Sequence, residues 1–152
     1  MYKRIMVIVD ETPNTDIAVS QGVEMAKAHH AEVLFFYVLP RYVLPMVDAL
    51  PVTVQSPEEF QREANDSASK VLHAASAVAD TAGVTSHRAM GSGVDDAHCV
   101  ADAARIRHCD LIVVAAERRN AVVRLITGNI IPGLITHAGV PVLVCQGALD
   151  AH

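Results

Sequence analysis

The stretch Asp110–Cys145, DLIVVAAERRNAVVRLITGNIIPGLITHAGVPVLVC, decides the fold of this chain. Its pattern predicts a buried strand, an irregular loop, a Gly-Asn turn, a helix and a second buried strand. In open parallel α/β sheets, ligands bind outside the carboxyl ends of the strands, where glycines and a helix N-terminus favour a phosphate. Gly128 fits such a phosphate site, whereas Glu117, Arg118 and Arg119 stand in the turn where glycines are expected.

The length and composition indicate one domain over residues 1–152, because 51% hydrophobic residues suffice for a core on both sides of a sheet. A formal net charge of -5 disfavours sequence-independent nucleic-acid binding and binding to anionic membranes. The apolar runs are shorter than the roughly 18 residues of a membrane-spanning helix, and the run before Asp10 is too short for a signal peptide. We therefore expect a cytoplasmic protein with small ligands and with neither a nucleic-acid nor a membrane partner.

Five short apolar runs, rich in β-branched residues, have the pattern of strands that are covered on both faces. Their predicted bounds are Arg4–Val9, Glu32–Val38, Val84–Met90, Asp110–Ala115 and Val140–Cys145. The third run is the most polar, which favours an edge strand. Because helical patterns fill the intervals, the sequence predicts an α/β fold: an open, doubly wound, five-stranded parallel sheet with helices on both faces, which is a Rossmann-like arrangement.

The four predicted helices have recognisable ends and apolar faces. Thr12-Pro13 is predicted as the cap and first position of a helix that runs to about His30. A capping box at Ser56–Glu59 opens the second helix, and Gly83 ends it. The predicted buried faces of the last two helices are Ala97, Val100, Ala101 and Ala104, and Ile131, Leu134, Ile135 and Ala138.

The segment 39–55 is predicted as a long loop, because it carries Pro40, Pro45 and Pro51 and little charge. Loops of this length in compact domains are often lids or interaction segments, but they can also be variable connections. The sequence leaves both interpretations open.

Three features together resemble the universal stress protein family: the opening RIMVIVDET, the long segment after the second strand, and the closing DLIVV and TGNIIPGLITHAGVPVLV. The most specific part is the closing pattern, in which a glycine opens a helix and a small residue precedes Pro-Val-Leu-Val. The resemblance covers essentially the whole chain. It implies an adenine nucleotide alpha hydrolase-like fold, ATP or AMP as the ligand, and a homodimer formed through the last strand, Val140–Cys145, whose apolar edge would otherwise stay unpaired.

The resemblance also identifies an altered glycine motif. In nucleotide-binding members the fourth strand ends in a Gly-x-x-Gly turn, then nine residues, then Gly-Ser or Gly-Thr. Here the two turn glycines correspond to Ala115 and Arg118, and the last pair to Gly128-Asn129. Alanine and arginine resist positive φ, and their Cβ atoms block close backbone approach to a phosphate. We therefore expect weak or absent triphosphate binding.

The base side of the family's nucleotide site is better retained. The resemblance places Val9 and Asp10, at the tip of the first strand, together with Val38 and Val114, around the base. For the three valines, plain sheet core is the alternative interpretation. Asp10 has an alternative role in setting the turn or capping the next helix.

Arg118, Arg119 and Arg124 offer a different way to hold a phosphate, since guanidinium groups can bind an anion where glycine amides are missing. The alternative is that these are solvated charges on a loop. Asn129 can cap the last helix with its side chain, a role that needs no ligand.

Histidines and cysteines do not form a recognisable metal pattern. The three cysteines, Cys99, Cys109 and Cys145, contain no CxxC pair and are predicted to be reduced, buried residues. His98 and His108 lie ten positions apart, about 80° off one helical face, so a shared metal is not expected. His137 is predicted to be a favourable charge in the last turn of its helix.

Three functions remain in competition. The leading hypothesis is a stress-response regulatory or accessory protein with a degenerate nucleotide site that binds ATP weakly or not at all. The second is an ATP- or AMP-binding member in which arginines hold the phosphates. The third is an enzyme or electron-transfer subunit of the wider adenine-binding group, which the absence of nucleophile and Walker motifs disfavours.

Overall fold

A computed structural model describes residues 1–44, 46–48, 50–51, 55–116 and 130–146. Strands and helices alternate along most of this chain. In order, the elements are β1 (Arg4–Val9), α1 (Thr15–His29), β2 (Glu32–Val38), β3 (Met46–Val47), β4 (Leu50–Pro51), α2 (Pro57–Ala82), β5 (Ser86–Gly91), α3 (Asp96–Ile106), β6 (Leu111–Ala115), α4 (Ile130–His137) and β7 (Val142–Cys145).

Five parallel strands form the central sheet in the order β5-β2-β1-β6-β7. The predicted doubly wound parallel sheet is confirmed, and so is the edge position of β5. The chain moves outward from β1 to β2 and β5, and then returns to the other side of β1 for β6 and β7. The strand order therefore reverses between β1 and β6, and their carboxyl ends form the crevice where such sheets bind ligands.

Two hydrophobic cores lie on opposite faces of the sheet. Alternate strand residues point to alternate faces, so Val7 and Phe35 join the core beneath α1 and α2, whereas Met6 and Phe36 join the core beneath α3 and α4. All four of these side chains are almost fully buried. The continuous apolar runs of the sequence are thus explained by coverage on both faces.

The second helix has the ends that its sequence predicts. The Ser56 hydroxyl accepts the Glu59 backbone N–H at 3.1 Å, with Pro57 in the first turn. Gly83 adopts φ +73° after the last turn, a left-handed conformation that glycine adopts without steric cost.

The predicted start of the first helix was wrong. Helix α1 begins at Thr15 with Asn14 as its N-cap residue, instead of at Thr12-Pro13. Thr12 is held in the preceding turn, because its backbone N–H and its hydroxyl both donate to the Asp10 carboxylate. A side chain that binds back to the strand tip cannot also cap the helix.

Two further expectations need correction. Ile135 was predicted to be buried, but 69% of its surface is exposed, whereas Leu134 is fully buried as predicted. The segment 39–55 contains a short antiparallel pair, β3 with β4, with Met46 opposite Pro51. Among the described residues, no helix is long and apolar enough to cross a membrane.

Candidate nucleotide site

The ends of three neighbouring strands bring several of the predicted residues to one edge of the sheet. Val9, Val38 and Ala115 are the last residues of β1, β2 and β6. Val9 and Val114 are nearly inaccessible, at 1% and 4% exposure, and belong to opposite cores. Val38 and Ala115 are only partly buried, so each keeps some accessible surface at this end of the sheet.

Asp10 organises the turn between β1 and α1. Its Oδ1 accepts the Thr12 backbone N–H at 2.8 Å and the Thr12 hydroxyl at 2.6 Å. The Thr15 hydroxyl lies 2.7 Å from the same oxygen and also accepts the Asp10 backbone N–H at 2.8 Å. The turn-setting role is therefore visible in the structure, whereas the binding role stays a prediction.

Within the described part of the chain, one carboxylate oxygen of Asp10 has no hydrogen-bond donor. Among the described residues, Asp10 Oδ2 accepts no hydrogen bond, while Oδ1 is held by Thr12 and Thr15. Asp10 is also exposed. A carboxylate held in this way presents a fixed acceptor to solvent, which suits a donor such as an exocyclic amine.

Tyr37 and Glu11 form a second polar contact near the ends of β1 and β2. The Tyr37 hydroxyl donates to Glu11 Oε1 at 3.1 Å, and Tyr37 lies beside Val9 in the sheet register. Burial of the phenol, and then the nearby Glu11 carboxylate, raise the pKa of Tyr37 to about 12. Both effects disfavour a phenolate, so Tyr37 acts here as a neutral hydrogen-bond donor.

The end of β6 differs from a glycine turn. Ala115 pairs with Cys145 of β7, and the Ala116 N–H donates to the Cys145 carbonyl at 2.7 Å. Asn14 Nδ2 donates to the Ala116 carbonyl at 3.3 Å, which ties the start of α1 to this strand end. The ladder thus runs regularly through the position where the family pattern has its first turn glycine.

Five of the predicted site residues lie outside the described part of the chain. They are Arg118, Arg119, Arg124, Gly128 and Asn129. The proposed anion-binding role of the arginines and the capping role of Asn129 therefore stay predictions.

Sequence reasoning missed the polar residues that position Asp10. Thr15, which holds Asp10, and Asn14, which donates to the Ala116 carbonyl, were not predicted to contribute, because the helix was expected to begin two residues earlier. The signal that was available is the Asp-x-Thr-x-x-Thr spacing over residues 10–15, since hydroxyls two and five positions after an aspartate can reach back to its carboxylate.

Two of the three cysteines are buried as predicted. All three cysteines are free; Cys109 and Cys145 are buried and Cys99 is partly buried. Burial is the main reason that the pKa of each thiol is raised, to about 11 for Cys109.

His137 lies in the last turn of α4, as predicted, and its ring lies against the ring of His98 with centroids 4.1 Å apart. No group of three metal-binding side chains is found within the described ranges.

Comparison with known families supplies the assignment. The family model described as the universal stress protein family matches residues 1–146. The chain belongs to the universal stress protein family. No curated protein matches this family member by sequence.

Solved universal stress proteins share its fold at low identity. One from Burkholderia pseudomallei is 23% identical, with a TM-score of 0.73 over 96% of this chain and 97% of that one. An Arabidopsis thaliana protein with AMP bound is 16% identical, with a TM-score of 0.69 over 97% and 94%. An Archaeoglobus fulgidus protein in complex with dAMP is 17% identical, with a TM-score of 0.69 over 95% and 98%.

Proposed function

We propose that this universal stress protein is a cytoplasmic regulatory or accessory protein that binds an adenine nucleotide mainly through the base and has only weak affinity for the triphosphate. The observation that carries the proposal is the fixed Asp10 carboxylate at the crevice between β1 and β6, with Oδ2 free among the described residues. The structural relatives that hold AMP and dAMP support adenine as the base.

The base is expected to be recognised by its amino group. Asp10 Oδ2 can accept a hydrogen bond from the exocyclic amine of adenine, whereas hypoxanthine presents a carbonyl oxygen at the same position and would face the carboxylate with an acceptor. Val38, which is partly buried beside this edge, supplies apolar surface for the ring. Such a site discriminates between an amino group and a carbonyl.

The weak triphosphate affinity follows from the end of β6. The Ala116 N–H donates to the Cys145 carbonyl, so this amide at the strand end is already occupied, and Ala115 carries a Cβ where the family's glycine turn lets a phosphate approach the backbone. Backbone amides are the main holders of phosphate in such sites. The additional phosphates of ATP are therefore expected to add little affinity over AMP.

Calorimetric titration with AMP, IMP and ATP tests the proposal. We expect AMP to bind more tightly than IMP, and ATP to bind within about tenfold of AMP, a difference below roughly 1.4 kcal/mol. Asp10→Asn should reduce the preference for AMP over IMP. Absence of AMP binding at millimolar concentration would overturn the proposal.

The same titration separates the arginine-assisted alternative. If Arg118 and Arg119 hold the phosphates, ATP binds far more tightly than AMP, and replacing both residues with alanine removes that advantage while leaving AMP binding in place. If the base carries the binding, the double variant changes both affinities by similar small factors.

We also propose that the protein is a homodimer formed through the edge strand β7. Pro141 and Cys145 direct their carbonyls to β6, so the alternating residues Val142 and Val144 direct their backbone groups outward. Ile135 of α4, which packs on β7, exposes apolar surface that a partner would cover.

Sedimentation velocity tests the dimer. Val144→Pro removes an outward N–H without touching the ladder to β6, and we expect it to shift the protein towards monomer. Met90→Pro is the matched control, because Met90 lies at the equivalent alternation on the opposite edge strand β5. A wild-type monomer at micromolar concentration, or equal effects of the two substitutions, would contradict a β7 interface.

A further inference from the structure

A trough lies between β5 and α3, on the face of the sheet that α3 and α4 cover. Its volume is about 630 Å³, and Phe36, Ala89, Cys99 and Ala103 are among the residues that line it. The trough exists because α3 packs over β2 and against α4, while α2 packs on β5 only from the opposite face. Within the described residues, the edge strand is therefore covered on this side only at its end, where Cys99 of α3 lies near Gly91.

Small residues on β5 keep the trough open. Ala89 lies beside Phe36 in the sheet register and Gly91 lies beside Val38, so both face the trough side of the sheet. A Cβ atom on Gly91 would lie 3.1 Å from Phe36 Cζ and 3.5 Å from Cys99 Sγ. Larger residues at these two positions would fill the space next to the aromatic ring.

The rim of the trough is apolar and exposed. Val94 and Ile106 line it with 87% and 63% of their surfaces accessible. Single exposed apolar residues are ordinary in proteins, but two beside one concave surface with an apolar floor favour an apolar occupant.

Carboxylates on α3 give the trough a negative character. Asp95 and Asp102 both line it and lie seven positions apart, close to two helical turns, on one side of the helix. Burial raises the pKa of the Cys99 thiol, and the charges of Asp96 and Asp102 raise it further. The negative potential therefore reaches the apolar floor, and the basic residues that line the trough are His98 and Arg107.

Among the residues that the structure describes, neither carboxylate has a strong partner. Asp102 lies 3.5 Å from Arg105, with 65% and 74% of the two side chains exposed, which is a weak surface pair. Asp95 accepts the His98 backbone N–H at 3.2 Å and lies 3.5 Å from the His98 ring. Both carboxylates keep oxygen atoms that are accessible to a ligand.

We infer that this trough is a second binding site, which takes a small organic cation with a flat apolar body. The ring system lies against Phe36 and the small residues of β5, and the ammonium group lies near Asp102. Asp95, about 10 Å away along the helix, contributes only to the negative potential. The volume falls within the range of roughly 300 to 1,000 Å³ that is typical of small-molecule sites. The inference is independent of the proposed nucleotide function, because the trough lies along β5, whereas the nucleotide crevice lies between β1 and β6.

Three naphthalene probes of equal shape test the charge and the apolar body separately. They are 1-naphthylmethylamine, 1-naphthalenemethanol and 1-naphthoate, titrated against the full chain and followed by amide chemical shifts. We expect the amine to bind saturably with shifts at Ala89, Gly91 and Cys99, the alcohol to bind about fivefold more weakly, and the carboxylate to be excluded. No saturable binding at millimolar concentration, shifts elsewhere, or equal binding of all three probes would overturn the inference.

Exposed substitutions locate the site without disturbing the fold. Ile106→Lys places a cation on the rim and should abolish amine binding, whereas Val78→Lys, at a residue of α2 that is 45% exposed, should not. Asp102→Asn should bring the amine to the affinity of the alcohol, and Asp80→Asn on exposed α2 surface is its control. Equal loss with Val78→Lys, or an unchanged amine preference in Asp102→Asn, would contradict the assignment.

Discussion

Thr15 holds Asp10 at both its backbone and its carboxylate. The Thr15 hydroxyl accepts the Asp10 N–H at 2.8 Å and lies 2.7 Å from Asp10 Oδ1 and 2.9 Å from the Asp10 carbonyl. The first residue of α1 therefore fixes the strand tip that carries the proposed base contact. The orientation of the site depends on the start of the helix as much as on the strand.

Thr15→Val removes this hydroxyl while keeping the shape of the side chain. We expect the free energy of unfolding to fall by about 0.5 to 1.5 kcal/mol, because hydrogen bonds at an exposed turn are lost. If Asp10 binds the base, the preference for AMP over IMP should fall too. Thr81→Val is the control, because the Thr81 hydroxyl donates only to Ala77 within its own helix. If the two substitutions have equal effects, both in urea unfolding and in nucleotide titration, Thr15 has no special role.

At Gly22, α1 packs closely against Val7 of β1. A Cβ atom at this position would lie 2.3 Å from Val7 Cγ2 in the packed core. Gly22→Ala should therefore destabilise the protein by about 1 to 3 kcal/mol, although alanine favours helix formation. Ser20→Ala, on the exposed side of the same helix, should have little effect. The urea midpoints of the two variants measure both effects. If Gly22→Ala is as stable as the wild type, the helix can move away from the sheet.

Ser56 caps the longest helix, α2, through the Glu59 backbone N–H. Ser56→Ala should lower the free energy of unfolding by about 0.5 to 2 kcal/mol, because an N–H in the first turn loses its acceptor. Ser69→Ala, at an exposed position inside the same helix, should be neutral or slightly stabilising. Thermal or urea unfolding that ranks the two variants in the opposite order would contradict the capping role.

The Asp95 cap at the start of α3 makes the stability of the protein depend on pH. The His98 backbone N–H lowers the pKa of the Asp95 carboxyl below its usual value. The stabilisation is therefore present above the unfolded-state pKa of about 3.9 and is lost as pH falls through the lower folded-state pKa. In the Asp95→Asn variant, the asparagine still caps the helix but does not titrate. The difference in free energy of unfolding between the wild type and the variant should therefore shrink below about pH 4. Urea midpoints of both proteins at pH 7 and pH 3 measure this, and an unchanged difference would exclude the linkage.

Tyr37 makes the stability of the protein depend on pH in the opposite direction, at alkaline pH. Its pKa is raised to about 12, first by burial and then by Glu11, against about 10 in an unfolded chain. The stabilisation is complete below about pH 10 and is lost as pH rises towards 12. Tyr37→Phe should cost about 0.5 to 1.5 kcal/mol at pH 7, because the hydrogen bond to Glu11 is lost. The cost should decline between pH 10 and 12 in denaturant unfolding, and a constant cost would contradict the raised pKa.

Most of the fold could be predicted from local patterns. Apolar runs such as Arg4–Val9 specify buried strands, and the Ser56 capping box and Gly83 specify helix ends, because each signal acts over a few residues. The edge position of β5 was visible in its polar composition. The start of α1 was missed, since Thr12 satisfies Asp10 instead of capping the helix, and periodicity does not encode that choice.

The sequence by itself determined the alternation of strands and helices, the two-sided core and the altered glycine motif, because hydrophobic period and residue type are local properties. Only the tertiary structure decided that Asp10 is held by Thr15, that the ladder continues through Ala115 to Cys145, and that β5 lacks a helix over Ala89. These relationships join residues from different elements or depend on how helices share the area of the sheet. Packing, which distributes a fixed number of helices over the strands, therefore sets the surfaces on which function depends.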